Sequence, residues 1–386
     1  MRFLHTADWH IGKALRGRSR LDEHERALNE VLDIATREKI DCLLMAGDIF
    51  DSSAPPADAE RLVYRFLSEL AARGIPAVLI GGNHDHPLRL QALRPLLNRM
   101  SIHVRPQVAA PADGGLIELE VRGERAHIAV LPWVPEHKVL DAALMMSVQA
   151  DRSSAYADEV ADIVNALCGS FSTSTVNILM GHVFVNGAAT SGSERAVHLS
   201  LPYALNHQRF PATASYIALG HLHRPQEISA PSPTLYAGSL LQLDFGEQGQ
   251  DKRVVIIDAK PGKKARFESI PIASGRRLRY VSGTIQELER IAAGCDHDDY
   301  LYVTVKVPKP KPGIADEVRS LLPNTVDVRI ELPEREDTGE TMEPIRSLTP
   351  EKIFSRFCED RDGVPPRRQL LEAFTKLHAE ASDAPC

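Results

Sequence analysis

Five times between Met1 and His223, a short run of Leu, Ile, Val or Met breaks off into a cluster of Asp, Asn and His. Leu4 leads to Asp8 and His10, residues 43–45 lead to Gly47 and Asp48, and residues 78–80 lead to Gly82, Asn83, His84 and Asp85. Residues 178–180 run into Gly181 and His182, and residues 217–219 into Gly220, His221, Leu222 and His223. Unbroken apolar runs of this kind suit strands buried on both faces, because neither set of side chains meets water. Four of the five clusters open with glycine, which allows the sharp turn and close backbone approach that a strand end needs. The pattern predicts strands at 2–5, 42–46, 77–80, 127–131, 176–180, 216–219 and 254–258. Leu28, Val31, Leu32 and Ala35 recur at helical spacing, as do Ala59, Leu62, Val63, Phe66, Leu67 and Leu70, so amphipathic helices flank the sheets. The fold class expected is α/β, and ligand sites in such folds gather at the carboxyl ends of strands, where all five clusters fall.

Taken singly, each cluster has an ordinary structural explanation. Asp8-Trp9-His10 reads equally as a helix cap or a satisfied core pair, and His221-Leu222-His223 as two structural imidazoles. Taken together, Asp8, His10, Asp48, Asn83, His182, His221 and His223 would destabilise one another if buried without compensation. A pair of divalent cations removes the conflict. The donors are nitrogen and oxygen with no thiolate, which suits Mn(II), Fe(II) or Zn(II) better than calcium, and a labile site favours Mn(II).

The remaining composition sets bounds. At 386 residues the chain has room for one large domain and a smaller one. Net charge is -7, but six acids between Glu331 and Glu343 against Arg335 alone supply most of it, so bulk charge does not exclude a nucleic-acid partner. The apolar runs are far shorter than the ~18 residues of a membrane span. His5 and Asp8 interrupt the first apolar stretch, leaving no signal-peptide core, and Cys42, Cys168, Cys295, Cys358 and Cys386 form no Cys-x-x-Cys pair. A cytoplasmic location is expected.

After about residue 276 the texture changes. Thr284 and Glu287 have capping-box spacing ahead of a helix through Leu288 and Ile291. Leu301, Val303, Val305 and Val307 alternate as a half-buried strand, Val318, Leu321 and Leu322 suggest a short helix, and Val326, Val328 and Ile330 alternate again. Residues 276–331 thus read as a compact β-α-β-α-β module, followed by an acidic linker at 332–348. Thr349-Pro350 then opens a helix with Ile353, Phe354 and Phe357, and Pro365-Pro366 precede another with Leu370, Leu371, Phe374 and Leu377. This pair, within 349–380, needs a surface to cover its apolar faces, on its own chain or on a partner.

The ordered series DWH, GDIFD, GNHD, GH and GHLH resembles the calcineurin-like metallophosphoesterases. HTADWHIGK, AGDIFDSSAPP, GNHDHP, YIALGHLHRPQ, YAGSLLQLDFGE and the terminal LTPEKIF are more specifically similar to the SbcD family of bacterial nuclease subunits. His86 follows GNHD where that family often has a small polar residue. The resemblance implies a β-sandwich flanked by helices over 1–272, a small α+β capping domain that contacts DNA over 276–331, and a helical pair that binds a coiled-coil SbcC-type ATPase. It implies one metal held by Asp8, His10, Asp48 and His223 and a second by the bridging Asp48 with Asn83, His182 and His221. His84 then stands beside the site as the catalytic residue, and Asp51 orients it or, equally, caps the helix that starts at Pro55-Pro56. A homodimer through the helices after Pro56 and Pro87, within a heterotetramer, follows from the same resemblance. So do exonuclease action of 3′-5′ polarity on duplex ends, endonuclease action on single strands and hairpins, roles in DNA repair, recombination and replication, and association with the nucleoid. Phosphodiester hydrolysis of nucleotides or other small molecules is the alternative, since metal chemistry alone does not select DNA.

Overall fold

The computed structural model describes residues 1–146, 156–194, 204–292, 298–309, 311–333, 349–362 and 365–382. The elements run β1 (Arg2–Thr6), β2 (Ala14–Leu15), β3 (Arg18–Ser19), α1 (Leu21–Arg37), β4 (Cys42–Ala46), α2 (Ala57–Ala72), β5 (Ala77–Ile80), α3 (Pro87–Asn98) and β6 (Ile102–Arg105). Next come β7 (Leu116–Val121), β8 (Glu124–Leu131), α4 (Glu136–Met145), α5 (Tyr156–Leu167), β9 (Val176–His182), β10 (Tyr216–Gly220), β11 (Gln226–Ile228), β12 (Thr234–Tyr236), β13 (Arg253–Asp258) and β14 (Arg266–Pro271). The last are β15 (Leu278–Gly283), α6 (Ile285–Ala292), β16 (Tyr300–Lys306), α7 (Ile314–Leu321), β17 (Thr325–Glu331), α8 (Pro350–Asp362) and α9 (Arg368–Ser382).

Two six-stranded sheets, ordered β14-β13-β1-β4-β5-β6 and β11-β12-β10-β9-β8-β7, form a sandwich. Within the first, β1, β4, β5 and β6 are parallel, and within the second, β8, β9, β10 and β12 are parallel. The period of two along each strand explains the unbroken apolar runs. Phe3, Leu44, Val78 and Ile80 point between the sheets to meet Ile128, Ile178, Met180 and Ala218. Their neighbours Leu4, Leu43, Met45 and Leu79 point the other way, under Val31 of α1 and Phe66 of α2. Leu131, Leu179, Ile217 and Leu219 do the same on the second sheet, under Val160, Ile163 and Val164 of α5. Every central strand is therefore covered twice, in a helix–sheet–sheet–helix stack that brings the carboxyl ends of β1, β4, β5, β9 and β10 to one edge.

Glycine allows the sheets to close at that edge. A Cβ on Gly220, at the end of β10, would stand 1.9 Å from the Ala46 carbonyl oxygen of β4, and one on Gly47 would stand 2.2 Å from His182 Nδ1. Gly47 also has φ +93°, where side chains are strained.

β15, β16 and β17 form a parallel three-stranded sheet with α6 and α7 on it, around Val281, Leu288, Val303, Val305 and Val318. The capping box forms as the spacing suggested, Thr284 N donating to Glu287 Oε2 (2.7 Å) and Glu287 N lying 3.4 Å from Thr284 Oγ1. This sheet is fastened to the sandwich: Leu278 N donates to Gln242 Oε1 (2.8 Å), Arg276 N to Glu23 Oε2 (3.0 Å), and Phe245 packs against Tyr280 and Tyr302. Met1–Leu332 form one compact unit and Pro333–Cys386 a second. In the second, α8 and α9 meet through Phe354 and Phe374, stacked at 4.1 Å, while Ile353, Phe357, Leu370 and Leu377 remain exposed. The acidic linker expected at 332–348 lies, from residue 334 onward, outside the described residues, as do Cys295 and Cys386. Cys42, Cys168 and Cys358 are free thiols. No described helix is long and apolar enough to cross a membrane.

Candidate dinuclear metal centre

The loop after β1 is held on the loop after β4 by backbone hydrogen bonds, Asp8 N to Gly47 O and His10 N to Asp48 O, both 3.0 Å. Between the two side chains it presents, Trp9 is fully buried edge-on against Phe66 (5.2 Å), and its Nε1 donates to Thr6 Oγ1 (2.8 Å). Asp85 ties the loops after β4 and β5 together, accepting from Ile49 N (3.1 Å), Phe50 N (3.0 Å) and Gly82 N (2.9 Å). Asp8 (φ 49°), His10 (φ 47°), Asp48 (φ 53°) and His221 (φ 101°) all have left-handed backbone, which costs roughly 1–2 kcal/mol each in L-residues. Such strain persists where surrounding structure over-determines it, and here it turns the site side chains toward one point.

All seven expected ligands meet there. The Asp8 carboxylate accepts from His221 N (2.9 and 3.1 Å), and one donor atom each from Asp8, His10 and His223 falls within 4.8 Å of the others. His10 Nε2 faces His223 Nε2 at 3.1 Å. On the other side, Asn83 Oδ1 lies 2.9 Å from His182 Nε2 and 3.0 Å from His221 Nδ1. Asp48 stands between, its Oδ2 3.5 Å from His10 Nε2 and 3.5 Å from His182 Nε2, while its Oδ1 accepts from His84 N (2.8 Å).

This donor set fits two divalent cations. His182 Nδ1 donates to the Ala46 carbonyl (2.9 Å), and His223 Nδ1 lies 3.0 Å from the acceptor-only Glu247 Oε1. In the neutral imidazoles the proton is therefore on Nδ1, and the Nε2 lone pairs point at Asn83 Oδ1 and His10 Nε2. His182 Nε2 thus meets an amide oxygen that only accepts, and the two need positive charge between them. Without metal, only protons can supply it. Burial lowers His182, but Asp48 outweighs burial and raises it to about 9. Burial likewise lowers His223, and Glu247 outweighs that and raises it. Burial, then Asp48, pushes Asp8 up to about 7 against the pull of His182 and His223, whereas burial drives His10 down to about 4. Burial would raise Asp48, but His182 and His10 hold it well below the ordinary carboxylate range.

His84 and Asp51 meet differently from the expectation. His84 Nδ1 bonds the backbone carbonyl of Asp51 (2.6 Å), whereas the Asp51 carboxylate reaches Lys13 Nζ (3.1 Å) and His10 Nδ1 (3.4 Å). Asp51 is no helix cap either: the residue capping α2 is Pro56, with no side-chain bond. Against burial, the bond to His10 and the Lys13 charge hold Asp51 below its ordinary range. His84 stands edge-on to His10 (4.7 Å) and also has a ring nitrogen within 4.8 Å of His10 and Asp48 donor atoms. His86 caps α3, its Nδ1 3.4 Å from Arg89 N.

Sequence reasoning missed the support behind His223. Glu247 is fully buried and accepts from Lys252 Nζ (2.6 Å), Leu243 N (3.1 Å) and Ser193 Oγ besides His223. Lys252, buried too, also donates to His223 O (2.9 Å). Glu247 ends the YAGSLLQLDFGE motif, so a second acid three residues after Asp244, closing a mostly apolar run, was the available signal. Trp133 was missed as well; its indole stacks on His221 (5.3 Å, 25°).

Of the basic residues in the 276–331 module, Arg276 lies over Tyr300 (5.0 Å), Arg279 pairs with Asp299 (3.3 Å) and Lys311 with Glu317 (2.6 Å), while Arg277, Lys306 and Lys309 are exposed.

Comparison with known proteins agrees with this geometry. A family profile described as calcineurin-like phosphoesterase matches residues 1–225, and one described as type 5 capsule protein repressor C-terminal domain matches residues 274–362. The SbcD subunit of nuclease SbcCD from Bacillus subtilis (strain 168) is 34% identical over 98% of this chain and 97% of that protein. The proteins of the same name from Rhodobacter capsulatus and Escherichia coli (strain K12) are 33% and 28% identical, covering 70% and 75% of this chain and 69% and 72% of their own lengths. The chain therefore belongs to the calcineurin-like phosphoesterases and, within them, to the SbcD family of SbcCD nuclease subunits.

Proposed function

We propose that this chain is the nuclease subunit of an ATP-dependent complex that hydrolyses DNA phosphodiester bonds. The observation that carries the chemistry is the position of Asp48, one oxygen of which lies 3.5 Å from both His10 Nε2 and His182 Nε2, so that it would serve both cations. Asp8, His10, Asp48 and His223 would hold one cation and Asp48, Asn83, His182 and His221 the other. Mn(II) is the metal best matched to this oxygen-and-nitrogen set at a labile site. When bound, the two cations supply positive charge to the non-bridging oxygens of a phosphodiester and activate water for in-line attack.

The protein's own groups do the rest. Asp48 and Asp8 bring negative charge that offsets the cations. Glu247 and the Ala46 carbonyl keep His223 and His182 presenting Nε2. The Asp51 carbonyl anchors Nδ1–H of His84, so Nε2 is the atom that passes a proton to the departing sugar oxygen.

DNA as substrate, action on duplex ends with 3′-5′ polarity, and action on single strands and hairpins rest on membership of the SbcD family. A coiled-coil ATPase partner suits α8 and α9, whose Ile353, Phe357, Leu370 and Leu377 are exposed. A homodimer is supported by Leu88 and Leu96 of α3, 65% and 59% exposed, although Leu62, Phe66 and Leu97 pack within the chain. Repair and recombination in the cytoplasm, at the nucleoid, is the corresponding biological setting, with residues 276–331 as the DNA-contacting cap.

The test is Mn(II)-dependent digestion of linear and hairpin DNA by the chain with its ATPase, alongside cyclic nucleotides and a chromogenic diester. DNA cleavage is expected, and hydrolysis of the small diesters alone would favour the small-molecule alternative. His84→Gln is expected to bind both metals normally while turnover falls roughly 10²–10⁴-fold. Loss of metal in a folded His84→Gln would make His84 a ligand instead.

A further inference from the structure

A cavity of about 440 Å³ opens beside the dinuclear centre and shares Asn83 with it. Its character is unlike that of the centre. The walls include Pro106, Val108, Trp133, Val134 and Met145, and the polar side chains of Gln107, Lys138 and Asp141 are exposed at its rim. Asp85 also lines it, but all three backbone bonds that fix the loops after β4 and β5 already occupy that carboxylate.

Trp133 forms the partition between the two. Its backbone N donates to Gly81 O (3.0 Å), which ties the end of β8 to the end of β5. Its indole stacks on His221 at 5.3 Å and meets His182 edge-on at 6.4 Å, so its position is fixed relative to the ligand cluster. A phosphate held by the cations would project its two ester substituents away from the centre, and one of them has this apolar space to enter. A sugar alone would gain little from proline, valine, methionine and indole walls. A planar, largely apolar group with polar edges matches walls and rim together.

We propose that this cavity receives the nucleobase next to the scissile phosphodiester, unstacked from its neighbour, with Trp133 as a wall that fixes the nucleotide. This rests on the phosphodiesterase reading above and deepens it. Apolar walls contact any base alike, and no uncommitted buried carboxylate among the described lining residues reads a base edge, so the pocket accepts all bases. Base–aromatic contacts of this kind are sequence-tolerant and change binding about tenfold or more.

The experiment compares the thymidine 5′- and 3′-(p-nitrophenyl phosphates) with methyl p-nitrophenyl phosphate, using the full chain in Mn(II). For at least one thymidine isomer, kcat/KM is expected to exceed that of the methyl ester about tenfold, mainly through KM. Trp133→Ala abolishes the preference and Trp133→Phe keeps most of it, with metal content measured in each variant. A preference unchanged in Trp133→Ala, or absent from the unmodified chain, overturns the pocket assignment while leaving phosphodiester hydrolysis standing. Hydrolysis of none of the three esters overturns the phosphodiesterase reading, and the pocket assignment with it.

Discussion

At the scale of single residues, the centre depends on side chains that never reach substrate. Glu247 is the main one: it receives five donors, from His223, Lys252, Leu243, Ser193 and Ser239. Burial would raise its pKa, but Lys252 and His223 outweigh burial and keep it ionised below the ordinary range. Partners that orient a metal-binding imidazole typically account for 10–100-fold in affinity. Glu247→Gln is therefore expected to weaken Mn(II) binding by about that factor in calorimetric titration. It also leaves the buried Lys252 without its counter-charge, at a stability cost of roughly 3 kcal/mol. Glu247→Gln combined with Lys252→Met should recover stability and not affinity, whereas recovery of both would mean Glu247 acts only through folding. The seven ligands were legible because each terminates an apolar run. Glu247 was not, because its role arises from a contact with His223 across a turn that periodicity cannot describe.

At the scale of elements, α1 was legible from Leu28, Val31, Leu32 and Ala35, whereas the edge strands were not. In β14 most residues are exposed and Phe267 remains 37% exposed, so no buried face imprints a period on its sequence. β11, at an edge of the second sheet, and its inner neighbour β12 have three residues each, too few to show one. The α1 stripe also contains His24, fully buried, with neither ring nitrogen hydrogen-bonded among the described residues. Burial, then the Arg20 charge, lowers His24 to about 3, and burial lowers His5 to about 3. Both fall below the unfolded value near 6.5, so unfolding takes up protons between pH 6.5 and 3. Stability from these neutral imidazoles is complete above pH 6.5 and declines as pH falls through that window. Each group contributes about 2 kcal/mol of loss by pH 5. In denaturant unfolding with chelator present, His24→Leu should lose about 2 kcal/mol less than the unmodified chain between pH 7 and 5. Parallel stability–pH curves would show that His24 keeps its unfolded-state pKa in the folded chain.

At the scale of the whole molecule, the apolar surface is distributed according to what each unit has to bury. The sandwich places its large side chains between layers, and the sheet of β15, β16 and β17 has its own core around Val303 and Val318. The helical pair has no such cluster among the described residues: Phe354 stacks on Phe374 between α8 and α9 and Cys358 is buried, but Phe357 and Leu377 are 54% and 64% exposed. The amphipathic spacing of both helices was legible in sequence, and what covers them was not, since periodicity shows a face and never its occupant. Helices of this kind bind by laying apolar anchors into a groove, and anchors at the centre of an interface typically contribute 2 kcal/mol or more each, roughly 30-fold in affinity. Replacing Phe357 and Leu377 together by Glu in the full chain puts charges where those anchors would enter a coiled-coil ATPase. Co-purification with that ATPase should be lost, while Mn(II)-dependent hydrolysis of methyl p-nitrophenyl phosphate stays at the level of the unmodified chain, because neither position contributes to the dinuclear centre. Retained co-purification would assign the ATPase contact to another surface.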